Sequence, residues 1–357
     1  MSFSTQDHFF LQRCQHLASL GGTRVLPNPR VGSVIVHEGR IIGEGYHQYP
    51  GGPHAEVMAV RDIRPEDHVL VKESSLYVNL EPCSHFGKTP PCADMIITLG
   101  IPRVVIGCQD PNPKVSGAGI RRLRDAGITV VTAPDDSPYI WQNRVFFVNQ
   151  QQKRPFIILK WAESRDGFIG GFDQEGNPKP LRISCEMSRL LAHKLRAEMQ
   201  VIMIGKGTAA ADNPHLTTRH VPGHNPIRMI LDRNLRLPEA MHLRTDGIPT
   251  IILNALRQDT EGAVRYYIPR QWHDIRALLQ ELYEVLGICS IMVEGGSHLL
   301  RQFITQDVWD EVYRVTGTLK AGAGVPAPEV PWSFEAEEML GEDRVEILRR
   351  VTWTPIR

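Results

Sequence analysis

Along the first 150 residues the apolar positions change period several times. Phe10, Cys14, Leu17 and Ala18 recur at helical intervals and Ser4 precedes Asp7 at capping-box spacing, which predicts an amphipathic helix over 5–20, ended by Gly21-Gly22. After a Pro27-Asn28-Pro29 turn, apolar runs over 31–36 and 41–46 flank Glu38-Gly39 and predict a hairpin. A helix is then predicted over 54–60, strands over 75–80, 103–107 and 129–132, and helices over 92–99 and 117–126. Strands that alternate with helices imply an α/β layered domain.

The pattern breaks at Pro134-Asp135-Asp136, a helix is predicted over 139–149, and the polar run 150–154 precedes Pro155. That run marks a domain boundary, dividing the chain into residues 1–150 and 155–357. Beyond it the α/β alternation resumes with a buried strand over 156–162, a Ser164-Arg165-Asp166-Gly167 turn and a loop at Gly170-Gly171. A helix over 184–197, strands over 201–205, 227–231 and 250–253, a helix over 272–286 and a strand over 291–294 follow.

Composition adds limits. The 357 residues exceed what one core usually serves, so two domains are expected, and 42% hydrophobic with 22% charged residues is ordinary for a globular protein. Lysine plus arginine equals aspartate plus glutamate at 40 each, so no overall basic footprint marks a nucleic-acid binder. No apolar run approaches the roughly 18 residues that span a bilayer. The first ten residues, with Asp7 and no basic region, do not read as a signal peptide, and a cytoplasmic location is expected. Six cysteines are too sparse for a disulfide framework. Cys14, Cys108, Cys185 and Cys289 read as small buried hydrophobes.

The remaining two cysteines change the picture. His54-Ala55-Glu56, Pro82-Cys83 and Pro91-Cys92 offer one imidazole and two thiolates, the donor types zinc accepts, with the fourth tetrahedral position left for water. Such a water has its pKa lowered to roughly 7, and Glu56 is placed to move its proton. His54 and Glu56 lie about 200° apart on an ideal helix, so both reach one ligand only from a first turn. Cys92 follows Pro90-Pro91 and would open a helix whose positive end favours a thiolate. A structural site, or two core thiols beside a chance His-x-Glu, is the plainer alternative; the two Pro-Cys pairs and their strand and helix contexts outweigh it. Eight residues separate Cys83 from Cys92, so a loop must return the second thiolate.

The blocks Pro27-Asn28-Pro29-Arg30-Val31-Gly32, Gly51-Gly52-Pro53-His54-Ala55-Glu56-Val57, Leu80-Glu81-Pro82-Cys83-Ser84-His85-Phe86-Gly87-Lys88-Thr89-Pro90-Pro91-Cys92 and Asp110-Pro111-Asn112-Pro113 resemble, in order, the bifunctional deaminase/reductases of riboflavin biosynthesis. The resemblance implies a cytidine-deaminase-like first domain that removes the 2-amino group of 2,5-diamino-6-ribosylamino-4(3H)-pyrimidinone 5′-phosphate. It further implies Zn2+ on His54, Cys83 and Cys92, with Glu56 as proton shuttle. Asn28, His47, Lys88, Asp110 and Asn112 would contact the substrate, against the plainer reading of Asn and Asp beside Pro as turn formers.

The second half carries no Rossmann fingerprint or P-loop, but Gly205-Lys206-Gly207-Thr208 and Gly295-Gly296-Ser297 each follow a strand and could cradle phosphate. Leu159-Lys160-Trp161-Ala162, His193-Lys194-Leu195-Arg196-Ala197-Glu198, Ala211-Asp212-Asn213-Pro214-His215-Leu216-Thr217-Thr218-Arg219 and Val293-Glu294-Gly295-Gly296 resemble the reductase part of the same family. This implies a dihydrofolate-reductase-like α/β domain in which NADPH reduces the ribosyl group to ribityl. Ala162, Thr208, Asp212 and the stretch Gly296, Ser297, His298, Leu299, Leu300, Arg301 and Gln302 would meet NADPH. Lys160, with a catalytic place, and Arg196, Leu216, Arg219 and Glu294 would meet the substrate. Arg forks suit a phosphosugar. At the entry to the reductase helix Leu181-Arg182-Ile183-Ser184 stands where the family pattern has an aromatic.

The partner expected is thus a small phosphorylated pyrimidine, not a nucleic acid or a membrane, and a homo-oligomer is compatible with the sequence. Two rivals are a nucleoside or tRNA deaminase with an unrelated C-terminal domain, and a zinc-stapled binding module with Cys108 as fourth ligand.

Overall fold

A computed structural model describes residues 2–84, 90–112 and 116–350. The chain forms two compact units, one reaching Gln152 and the other beginning at Lys153. Among the described residues no helix is long and apolar enough to cross a membrane.

The first unit runs α1 (Thr5–Ser19), β1 (Gly32–His37), β2 (Arg40–Tyr46), α2 (Ala55–Arg61), β3 (Ser75–Leu80), α3 (Cys92–Leu99), β4 (Arg103–Cys108), α4 (Ala118–Asp125), β5 (Thr129–Thr132), α5 (Ser137–Gln142) and α6 (Arg144–Gln152). Helix α1 starts as its sequence predicts: Ser4 Oγ accepts from the Asp7 amide at 3.2 Å and the Ser4 amide donates back to Asp7 at 2.8 Å. Such a cap contributes about 1 kcal/mol. Asp7 goes further than a cap, because it is buried and takes both Nη atoms of Arg103 at 2.9 Å.

The sheet order is β2-β1-β3-β4-β5, with β3, β4 and β5 parallel. Ile35, Leu76, Val78, Val104 and Ile106 pack with Ala59, Ile96 and Leu123 from α2, α3 and α4 in one apolar cluster. On the opposite face Phe10 of α1 meets Tyr77 with ring centroids 5.1 Å apart. Parallel strands covered on both faces carry the near-continuous apolar runs seen in the sequence.

The second unit contains β6 (Phe156–Glu163), β7 (Phe168–Phe172), β8 (Pro178–Lys179), α7 (Glu186–Glu198), β9 (Val201–Gly205), α8 (Lys206–Asp212), β10 (Ile227–Leu231) and α9 (His242–Thr245). It continues with β11 (Thr250–Leu253), β12 (Thr260–Glu261), β13 (Val264–Tyr267), α10 (Ile275–Leu286), β14 (Ser290–Glu294), α11 (Ser297–Thr305), β15 (Glu311–Thr316), β16 (Val325–Pro326), β17 (Ala336–Leu340) and β18 (Asp343–Arg349). Its ten-stranded sheet has the order β12-β13-β11-β10-β9-β14-β6-β15-β18-β17. The run from β13 to β15 is parallel, and the outer strands β12, β18 and β17 are antiparallel. From β9 the chain proceeds to β10 on one side, whereas from β14 it proceeds to β15 on the other. The carboxyl ends of β9 and β14 therefore flank a topological switch point, where open α/β sheets bind ligands.

Several elements differ from the sequence expectation. The helix predicted over 139–149 breaks at Asn143, whose side chain accepts from the Arg30 amide at 2.8 Å and donates to the Arg30 carbonyl at 3.0 Å. Gly170 and Gly171 are not a loop but lie in β7, paired with β16 and β8, because glycine supplies no alternating side chains to announce a strand. The helix predicted over 272–286 starts at Ile275, since Asp274 caps it by accepting from the Ala277 amide at 3.0 Å. Cys185 is not a buried hydrophobe. It is half-buried at the start of α7, and its thiol donates to the Leu340 carbonyl at 3.1 Å.

Candidate functional sites

The first site is assembled at the starts of two helices. His54 is the capping residue of α2, Cys83 lies in the segment that leaves β3, and Cys92 opens α3 behind Pro91. The Cys92 amide donates to Cys83 Sγ at 3.2 Å, which holds the start of α3 against the Cys83 thiol. His54 Nδ1 stands 3.5 Å from Cys83 Sγ and 3.3 Å from Cys92 Sγ, and the three donor atoms all lie within 4.8 Å of one another. Tetrahedral bonds of about 2.1 Å to nitrogen and 2.3 Å to sulfur put neighbouring donors about 3.5 Å apart. The cluster therefore fits Zn2+ in both donor type and spacing. Cys108 is not part of it: its buried thiol donates to the Asn79 carbonyl at 3.4 Å, and among the described residues no fourth ligand joins the three.

The electrostatics favour an anionic thiol pair. A hydrogen bond from the Cys92 thiol, reinforced by His54 and the Cys92 amide, pulls Cys83 down to about 4 against the effect of burial. The same bond, with burial, holds Cys92 up, and Cys83 raises His54 to about 8. Glu56 is 3% exposed. Burial first and the Cys83 charge second push it up to about 7, so near neutrality it can both hold and release a proton.

Around this centre the structure orients Asn28 and His47. His47 Nδ1 faces the Pro53 carbonyl at 3.0 Å, which can only accept, so Nδ1 carries the proton and Nε2 accepts from Asn28 Nδ2 at 2.9 Å. Burial lowers the His47 pKa and keeps this ring neutral, edge-on to His54 at 5.9 Å. Asp110 and Asn112 follow β4, where Asp110 Oδ1 accepts from the Asn112 amide at 2.8 Å. Lys88, with His85, lies outside the described residues. The sequence analysis quoted Glu81 only as part of a motif, yet this buried carboxylate accepts from the Asp110, Gly117, Gly119 and Ile120 amides at 2.9–3.2 Å.

The second site lies in the other unit, beside the β9/β14 switch point. Lys160 on β6 and Glu294 on β14 are register partners, and Lys160 Nζ donates to Glu294 Oε1 at 3.0 Å. Arg196 from α7 donates to Glu294 Oε2 through Nε at 2.9 Å and Nη2 at 2.6 Å. Burial works against the Glu294 charge, but Arg196 and Lys160 outweigh it and hold the carboxyl down at about 2. Arg196 is thus a half-buried ion-pair partner and not a solvated helix-end cation. Arg219 joins through Thr217: its Nη1 donates to Thr217 Oγ1 and Arg196 Nη1 to the Thr217 carbonyl, both at 3.2 Å. His193, which the sequence analysis left without a role, accepts the Arg219 amide on Nδ1 at 3.2 Å.

The two glycine segments converge. Gly295 and Gly296 have φ of +75° and +72°, and a Cβ added to them would stand 3.1 Å from Thr208 Cγ2 and 2.8 Å from Thr208 Oγ1. A backbone bare of side chains thus leads into the nine-residue α11, whose first residue, Ser297, has a buried Oγ with no hydrogen-bond partner. Such a cradle with an unsatisfied hydroxyl fits a dinucleotide phosphate. Ala162 is half-buried on β6, two residues from Lys160 and on the same face.

The remaining expected residues differ in what their side chains meet. Leu299 and Leu300 point into the main core, and Leu216, with φ of +52°, packs with Ile202 and Ile230, so those side chains are spent on packing. Asp212 is exposed at the last position of α8. His298 faces Gln302 at 3.3 Å, and Arg301 donates to the Ala327 carbonyl at 3.4 Å.

Comparison with known proteins follows this division. Residues 4–108 match the family described as cytidine and deoxycytidylate deaminase zinc-binding region, and residues 155–328 match the RibD C-terminal domain. Riboflavin biosynthesis protein RibD of Aquifex aeolicus is 38% identical over 91% of this chain and 93% of its own. The RibD of Bacillus amyloliquefaciens is 36% identical over 91% and 87%. A solved Thermotoga maritima diaminohydroxyphosphoribosylaminopyrimidine deaminase/5-amino-6-(5-phosphoribosylamino)uracil reductase aligns with a TM-score of 0.85 at 35% identity, covering 96% of this chain and 98% of that one. Acinetobacter baumannii RibD aligns with a TM-score of 0.82 at 29% identity, covering 96% and 98%.

Proposed function

The chain belongs to the RibD family of bifunctional deaminase/reductases of riboflavin biosynthesis, and from that premise we propose a substrate and a division of labour for its two sites. Its folds are cytidine-deaminase-like and dihydrofolate-reductase-like, and its cofactors are Zn2+ and NADPH. A nucleoside or tRNA deaminase with an unrelated C-terminal domain is set aside, because the second half matches the reductase domain of the same family.

The first domain, residues 1–150, hydrolyses the 2-amino group of 2,5-diamino-6-ribosylamino-4(3H)-pyrimidinone 5′-phosphate. His54, Cys83 and Cys92 hold Zn2+, which supplies the acidity that makes a hydrolytic water available at neutral pH. Water adds at the amidine-like ring carbon, the C–N bond breaks and ammonia leaves. Glu56, poised near 7, takes the proton of the water and returns it to the departing nitrogen. Asn28, His47, Lys88, Asp110 and Asn112 bind the ring and ribose phosphate.

The second domain, residues 155–357, reduces the ribosyl group of the deaminated product to ribityl, with NADPH as hydride donor to the opened, imine-like C1′. Lys160, Arg196, Arg219 and Glu294 receive the substrate, with Lys160 at the reacting end, and Thr208, Asp212, Gly296 and Ser297 bind the cofactor. A cytoplasmic location completes the proposal, and a homo-oligomer is compatible with it.

The observation that carries this reading is the His54/Cys83/Cys92 cluster with the buried Glu56 carboxyl two residues from its histidine. Incubation with the diaminopyrimidinone phosphate, with and without NADPH, tests it when ammonia and NADPH oxidation are followed separately. Ammonia release should need no NADPH, and NADPH oxidation should begin only after it. NADPH oxidation without prior ammonia release would overturn the order.

A further inference from the structure

Glu81, only 4% exposed, carries an unusual load of donors. Its backbone amide donates to the Cys108 carbonyl at 2.9 Å, which fixes it between the ends of β3 and β4, two residues before Cys83. Oε1 accepts from the Gly119 and Ile120 amides at 2.9 and 3.2 Å, and Oε2 from the Gly117 and Asp110 amides at 2.9 and 3.2 Å. The side chain is thus an acceptor for the start of α4 and for the loop that carries Asp110 and Asn112. Contact continues on the neighbouring residue: a Cβ on Gly119 would stand 2.0 Å from the Pro82 carbonyl, so α4 sits directly on the backbone leading to the Cys83 ligand.

We propose that Glu81 is a positioning residue of the deaminase site, tying the Asp110–Asn112 loop and the start of α4 to the strand end that delivers Cys83. It touches neither the metal nor the reacting atoms. A carboxylate suits the place because all four groups facing it are donors, and a neutral amide would turn its own N–H groups toward at least one of them. The inference rests on the proposed contact of Asp110 and Asn112 with the substrate.

The test compares Glu81→Gln, Glu81→Asp and Asn112→Ala in the full-length, zinc-loaded protein. Glu81→Gln should keep one zinc per chain, lose amide-exchange protection over residues 117–120 and at 110, and raise the KM for ammonia release about tenfold with a smaller change in kcat. Glu81→Asp, which keeps the charge, should recover part of the KM even if the glutamine variant folds poorly. NADPH oxidation on the deaminated substrate should be unchanged in all three. A normal KM in Glu81→Gln while Asn112→Ala raises it would overturn the positioning role and leave the loop contact standing. A normal KM in Asn112→Ala with exchange loosened in Glu81→Gln would instead remove the substrate reading of the loop. Loss of zinc from both Glu81 variants would make Glu81 a support of the metal site and also overturn the proposal.

Discussion

The cluster at His54 and the cluster at Glu294 both keep polar groups out of water, and they do so by opposite means. In the first unit the donors are soft and few, and they come from a short stretch of chain whose two helix starts converge them within 4.8 Å. Its donors are two cysteine sulfurs and one imidazole nitrogen, none of them a carboxylate. In the second unit the groups are fully charged and come from three distant elements, Lys160 on β6, Arg196 on α7 and Glu294 on β14. There a single carboxylate, Glu294, faces two cations. A metal site can be completed by its ion, whereas the carboxylate of the second cluster finds its partners in the protein itself, because a carboxylate left unpaired away from water costs several kcal/mol.

The strongest way to break this comparison is to remove a donor from the first site. Cys83→Ser or Cys92→Ser is expected to abolish both bound zinc, measured by metal analysis, and ammonia release, while NADPH oxidation on deaminated substrate survives. Loss of both activities would mean that the two sites are not independent. Glu56→Gln separates binding from proton transfer. Zinc should remain and ammonia release should fall about 10²–10⁴-fold, the usual contribution of a positioned acid/base; near-normal turnover would remove Glu56 from the mechanism.

The same contrast explains what could be read in advance. Ser4-Asp7, the strands 75–80 and 201–205 and the helix 92–99 were legible because local spacing and caps decide them. His54, Cys83 and Cys92 were legible for a related reason, since rare residue types at a characteristic spacing signal their chemistry without tertiary information. Glu81 and His193 were not, because their roles arise from backbone amides delivered by other segments: those of Asp110 and the start of α4 for one, that of Arg219 for the other. The inward turn of Leu299 and Leu300 also depends on which side of α11 meets the sheet, and the resemblance treated that stretch as uniform.

Glu294→Gln probes the charged cluster in a way the zinc site cannot imitate. The folded carboxyl is held at about 2 against an ordinary value of 4.5. A depressed folded value contributes stability that is present above 4.5 and lost as the pH falls toward 2. The gap in urea midpoint between the parent protein and Glu294→Gln should therefore be constant from pH 7 to about 5 and shrink below about 4. Removing one member of a buried network costs about 3–5 kcal/mol, and reductase activity should fall with it. A gap that ignores pH would mean that the Glu294 charge does not hold Lys160 and Arg196.

The smallest expected effects lie at the cofactor, and two substitutions there ask whether the bare backbone or a side chain holds NADPH. Gly296→Ala places a methyl group 2.8 Å from Thr208 Oγ1 at a φ of +72° that alanine rarely adopts, so the cradle must shift. NADPH affinity measured by calorimetry should drop about tenfold, a change of about 1.4 kcal/mol. Asp212→Ala removes an exposed carboxylate at the end of α8, where water screens whatever it meets. Its affinity should fall roughly two- to fivefold, the range of a single net hydrogen bond of about 0.5–1 kcal/mol. If Asp212→Ala costs more than Gly296→Ala, the cofactor is held from the end of α8 and the glycine pair is a turn; the expected order places the dinucleotide phosphate on the backbone amides that lead into α11.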